Sequence, residues 1–242
     1  MPFTLAHPAA VLPLRRFCPR WLSFPALVFG AMAPDSGYLL GSWGGRLSHS
    51  LLGTVAFCLP VGVLMLVVFY GLRGAAVRLL PADDQRVLLP LCQRPAGPAA
   101  TALVSLLLGI ATHLLWDAFT HNEGWAVRHV ALLQTPVFTL GNRTARLCHV
   151  LWYGCSFAGM AWLFVAFERW KQGALGVTSA RGRAVLRDAV LVAVLAVPMQ
   201  LIHHLVHGTL GLVLAGAFGV LLVAGAVGLR LWKANASVRI AE

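Results

Sequence analysis

The chain has 242 residues, of which 59% are hydrophobic and only 11% charged, and its mean hydropathy is +0.78. A soluble domain carries roughly 45–50% apolar and about 25% charged residues, so an ordinary water-facing globule is excluded, and so is intrinsic disorder. The formal charge of +11 comes from arginines spread between apolar blocks rather than gathered on one patch, which argues for membrane topology over nucleic-acid binding.

In chain order, residues 3–14 form a short apolar stretch broken by Pro8 and Pro13 and followed by Arg15, Arg16 and Arg20. It is too short to span and reads as an interfacial or re-entrant segment. A first span is expected over 22–41, weakened by Pro25, Pro34 and Asp35 and broken near its far end. A strong second span covers 50–71, with Pro60 as a kink site. A basic connector, 72–98, leads to a third span over 99–120. A polar connector over 121–147 precedes a fourth span at 148–167. After a basic connector come spans at 188–206 and 208–229. The fold class expected is therefore all-α, a polytopic transmembrane helical bundle of about six spans in a single membrane domain. Its site-bearing part lies within 1–125 and its C-terminal helices within 148–232.

With six spans, fifteen of the nineteen Lys and Arg residues fall on the side of the N-terminus. The positive-inside rule then places both termini in the cytoplasm. A merely re-entrant first segment would leave five spans and change the orientation downstream. The five cysteines are odd in number and contain no C-x-x-C, so neither a disulfide framework nor a thiolate zinc site is indicated.

Ionisable groups inside spans mark functional sites by default. Asp35, His113 and Asp117 meet that description, and His49 sits at the mouth of the second span. The topology brings all four to a comparable depth. His113 and Asp117, four apart, share a helix face about 6 Å apart along the axis and can share one divalent ion as nitrogen and oxygen ligands. His121 continues the row, but about 12 Å along a straight helix from His113, with a helix end expected at Asn122 and Gly124; it ranks below the pair. His7 falls on the opposite side in the simple topology. The alternatives are a structural His113–Asp117 hydrogen-bonding pair, an Asp35 turn cap beside Pro34, and a solvated His49. His203, His204 and His207 form a weaker HH-x-x-H group, Asn142-Arg143-Thr144 matches a glycosylation pattern, and Gly211, Gly216 and Gly219 read as packing residues. Trp116, Trp125, Trp152, Trp162 and Trp170 read as interfacial anchors.

The phrases MPFTLAHPAAVLPLRR, LVFGAMAPDSGYLL, LSHSLLGTVAFCLPVG and HLLWDAFTH resemble the DUF4184 family of bacterial membrane proteins over most of residues 1–125. That family is in turn distantly similar to the DUF457 or YdjM-like inner-membrane proteins described as metal-dependent hydrolases. The resemblance implies a bacterial cytoplasmic membrane location and a metal set of His7, Asp35, His49, His113 and Asp117. It also implies that the N-terminal segment folds back to the site. Ser36 and Gly37 stand where the larger group often has a second acidic residue, and its Arg-containing HR motif is missing, which points to one ion rather than two. The enzyme implied holds zinc on these histidines with Asp35 or Asp117. The other carboxylate of this catalytic pair orients a histidine or takes a proton from water. Its expected partners are membrane lipid and a lipid-like ester or phosphoester, with no nucleic acid. A transporter or proton relay using the same buried groups, and a non-catalytic scaffold, remain the rival classes.

Overall fold

The computed structural model describes residues 4–140 and 143–176. The spans expected over 188–206 and 208–229, the His203/His204/His207 group, Asn142 and the Gly211, Gly216 and Gly219 series lie outside those residues. Among the described residues the chain divides into two compact units, one built from residues 4–66 with 97–165, the other from Val67–Ala96 with residues 166–176.

The first unit opens with a 3-10 helix, Thr4–Phe17, containing Pro8 and Pro13. Then comes α1, Phe24–Met32, followed by a 3-10 turn segment, Pro34–Leu40. The single long span expected over 22–41 is thus absent. Its α-helical part has nine residues, about 14 Å at 1.5 Å per residue, against a hydrocarbon core of about 30 Å. Pro34 lacks the N–H needed to continue the ladder, and Gly41, at φ 78°, turns the chain into α2, Gly41–Ser48.

Ser50 caps the next element, accepting a hydrogen bond from the Gly53 N–H at 3.0 Å. The one-turn α3, Leu51–Gly53, passes through a π-helical turn, Thr54–Cys58, into α4, Leu59–Arg78. The irregularity sits just before Pro60, which donates no hydrogen bond to the preceding turn. α6, Ala99–Thr120, follows α5, Ala82–Cys92, which belongs to the second unit.

α1 lies directly on α6. A methyl on Gly30 would overlap the Leu106 carbonyl oxygen, and one on Gly109 would overlap the Leu27 carbonyl oxygen. The two glycines therefore let the backbones touch, the small-residue packing expected where lipid supplies no hydrophobic drive between helices. Ser105 Oγ, on α6, accepts the Ser23 N–H at 2.8 Å, satisfying a free donor at the start of α1. Val11, Leu22, Leu27 and Ala31 form one buried cluster around this crossing; Ala33, Cys58 and Ile110 form another.

Residues 121–146 hold α7, Trp125–His129, a short 3-10 turn, Ala131–Gln134, and an antiparallel hairpin of β1, Pro136–Leu140, with β2, Arg143–Arg146. The hairpin is a departure from the all-α expectation. Val137, Phe138 and Thr139 favour a pleated chain, which the polar reading of this connector overlooked. α8, Leu147–Leu175, completes the described chain. In the second unit Lys171 of α8 donates to Asp84 Oδ1 at 2.8 Å and to Glu168 Oε1 at 2.7 Å, a buried charge group tying α8 to α5.

Among the described residues three stretches are long and apolar enough to cross a membrane: Leu51–Arg78, Ala99–His129 and Leu147–Leu175. Their outward residues agree with lipid as the solvent, since Leu51, Leu52, Val55, Leu64 and Val67 stand exposed along the first of them. The structure is mostly helical and fits a membrane protein.

Candidate metal centre

Five polar side chains from four separate segments converge where α6 ends. His113 and Asp117 come from one face of α6 as adjacent turns require, with His113 Nε2 and Asp117 Oδ2 3.2 Å apart. Asp35 comes from the 3-10 segment that Pro34 starts; its Oδ1 is 3.6 Å from His113 Nε2. His49, just past α2, brings Nε2 to 3.1 Å from Asp117 Oδ2 and 3.3 Å from His113 Nε2.

His7 arrives from the N-terminal 3-10 helix. The side-of-membrane argument separated it from the cluster, and here the structure corrects that argument. The helix carrying His7 packs on α1 and α6 and is not on the far side of a span. The His7 ring stacks on that of His113 with centroids 3.8 Å apart, and its Nε2 lies 3.8 Å from Asp35 Oδ2 and 3.7 Å from Asp117 Oδ1. Trp116, expected as an interfacial anchor, instead sets its ring against His7 with centroids 5.7 Å apart. Trp152, another expected anchor, is buried.

His7, Asp35, His113 and Asp117 are all buried, and each offers a ligand atom within 4.8 Å of all the others. Four such atoms at the corners of a tetrahedron with bonds of about 2.0–2.1 Å would be about 3.3–3.4 Å apart. The separations from His113 Nε2 to Asp117 Oδ2 and Asp35 Oδ1, 3.2 and 3.6 Å, fall near that scale, and those from His7 Nε2 to the two carboxylates, 3.7 and 3.8 Å, lie slightly beyond it.

The surrounding backbone sets which atoms face inward. His113 Nδ1 is 2.8 Å from the Ala31 carbonyl and His49 Nδ1 is 2.8 Å from the Gly45 carbonyl. A carbonyl only accepts, so each Nδ1 carries the hydrogen, and in the neutral ring each Nε2 presents a lone pair. Two such nitrogens then face each other and a shared carboxylate oxygen, the arrangement a cation resolves. Backbone carbonyls behind the inward nitrogens are also the usual outer support of metal-binding histidine. Burial pushes the His7 imidazole well below its ordinary pKa, which favours the neutral, metal-binding form.

The carboxylates tell the same story. Oδ1 of Asp117 and both ring nitrogens of His7 are buried without a hydrogen-bond partner, and Asp35 is buried beside His7 and His113. Among the described residues the ion-pair partners of these two acids are histidines alone, with no Lys or Arg. Buried carboxylates so placed require a counter-charge. The donor set of imidazole nitrogen and carboxylate oxygen suits zinc and related divalent ions.

Sequence reasoning placed His121 lower because a straight helix would carry it away. α6 ends at Thr120, and His121 adopts an extended backbone at φ −101°, ψ 142°. That turn brings its Nδ1 to 3.5 Å from Asp117 Oδ1. The predicted helix end was the available signal; the direction of the chain after it was not.

The fold and this cluster define a helical protein with membrane-length helices and a buried His/Asp group able to hold a metal ion. The chain belongs to the DUF4184 family, a domain of unknown function, whose family model matches residues 1–231. No curated protein and no solved structure matches it.

Proposed function

We propose that the protein is a membrane-embedded, metal-dependent hydrolase of the bacterial cytoplasmic membrane, acting on a lipid or lipid-linked ester or phosphoester. The observation that carries the reading is the set of inward-facing ligand atoms from His7, Asp35, His113 and Asp117, with His49 beside them. The sequence phrases around His7, Asp35, His49 and His113, read as resembling the DUF457 group, point toward the same chemistry, and zinc suits the donors. In such a site a divalent ion supplies Lewis acidity and lowers the pKa of water toward neutrality. Asp117, within reach of four imidazoles, positions them. Asp35, between His7 and His113, would hold the ion together with Asp117. The site's place on a membrane-length helix is what favours a substrate drawn from the bilayer in this reading. The same buried His and Asp groups are also what a proton pathway would use, so transport is the rival.

The deciding experiment uses the full chain purified in detergent. Bound metal measured by elemental mass spectrometry should be present in wild type and absent from His113→Ala and Asp35→Ala. Equal metal in all three would overturn the site. Chelator-sensitive release of alcohol or phosphate from lipid substrates, with no ion flux in liposomes, is the expected activity; flux without turnover would replace hydrolysis by transport.

A further inference from the structure

We infer that the centre is built for two divalent ions, with Asp117 and Asp35 both bridging and His121 completing the second position. This deepens the metal-centre reading and rests on it. The six side chains divide by atom. Asp117 Oδ2 faces His49 and His113 at 3.1 and 3.2 Å, and Asp35 Oδ1 faces His113 at 3.6 Å. On the other flank, Asp117 Oδ1 faces His7 and His121 at 3.7 and 3.5 Å, and Asp35 Oδ2 faces His7 at 3.8 Å. Asp117 thus turns one oxygen to each pair of imidazoles, and Asp35 turns one oxygen to His113 and the other to His7.

One ion cannot take all six side chains. Placed on the first flank it takes His49, His113, Asp117 Oδ2 and Asp35 Oδ1, and held by His7, Asp35, His113 and Asp117 it leaves His49 and His121 aside. With the first flank filled, the atoms left over are His7 Nε2, Asp35 Oδ2 and Asp117 Oδ1, all buried, with His121 Nδ1 3.5 Å from Asp117 Oδ1 beside them. Buried polar atoms left unmatched are costly. A second ion matches them with two nitrogens and two oxygens, the same donor set as the first. Two carboxylates bridging in this way suit ions about 3.5–4 Å apart, the spacing of two-metal hydrolytic sites. The second acidic residue missing after Asp35 is then unnecessary, because Asp117 supplies the second bridge.

The test is metal stoichiometry on the full-length protein in detergent, loaded with zinc and desalted, together with His121→Ala checked for monodispersity and thermal unfolding. The expected result is two zinc ions per chain in wild type and one in the variant. Loading wild type with Mn(II) gives a second measurement that needs no variant: an exchange-coupled pair broadens the electron paramagnetic resonance signal, whereas a lone ion gives six sharp lines. One ion per chain with an uncoupled spectrum would overturn the pair and leave the single-ion hydrolase standing. No bound ion would remove both readings. Two ions retained by His121→Ala would overturn the part given to that residue.

Discussion

Asp117 is the residue on which the centre turns. Its two oxygens reach His7, His49, His113 and His121, and it lies one helical turn beyond His113, so its direction is set by α6 itself. Asp117→Asn keeps the shape and removes the charge that opposes a cation. We expect it to weaken zinc binding by more than the roughly 10–100-fold typical of losing an outer support, measured by competition with a chromophoric chelator. Trp116→Ala removes the ring beside His7 without touching a ligand atom and should fall within that 10–100-fold range. Equal affinity in wild type and both variants would mean that the ion, if bound, sits elsewhere.

At the level of elements, the site depends on how closely α1 can approach α6. Gly30 and Gly109 permit backbone contact, and the Ala31 carbonyl consequently reaches His113 Nδ1. Gly109→Ala would push a methyl into the Leu27 carbonyl. Overpacking of this kind costs about 1–3 kcal/mol. The same displacement withdraws Ala31 from His113. The variant should therefore unfold at lower temperature in detergent and also lose metal, although Gly109 contacts no ligand atom. A stability loss with full metal content would show that the crossing supports the fold alone. The short α1 and the Pro34 segment were marked in the sequence by their prolines, which predicted a break near Asp35. What followed the break was not marked, because a glycine at positive φ such as Gly41 permits a turn without dictating its direction.

At the scale of the molecule, three helices among the described residues are long and apolar enough to cross a membrane. Apolar side chains point outward along α3 and α4, while His7, Asp35, His113 and Asp117 are buried. This inversion of an ordinary globule makes a direct prediction. Leu64 stands 62% exposed on α4, so Leu64→Asp puts a charge toward acyl chains at a cost of about 2.5–3.5 kcal/mol for insertion. The fraction of chains resisting alkaline extraction from membranes should drop sharply. Unchanged integration would place that face in water and count against Leu51–Arg78 as a span.

The sequence by itself determined the helical, membrane-compatible class, because long apolar runs with few charges admit little else. It also singled out Asp35, His49, His113 and Asp117, since ionisable groups in such runs are costly wherever they occur. Only the tertiary structure decided that His7 belongs with them, that 22–41 is not one span, and that His121 turns back toward Asp117. Those outcomes rest on chain reversals at prolines, a glycine and a helix end, and on contacts between residues far apart along the chain. Composition and periodicity carry no record of such directions, whereas packing α1 against α6 sets them.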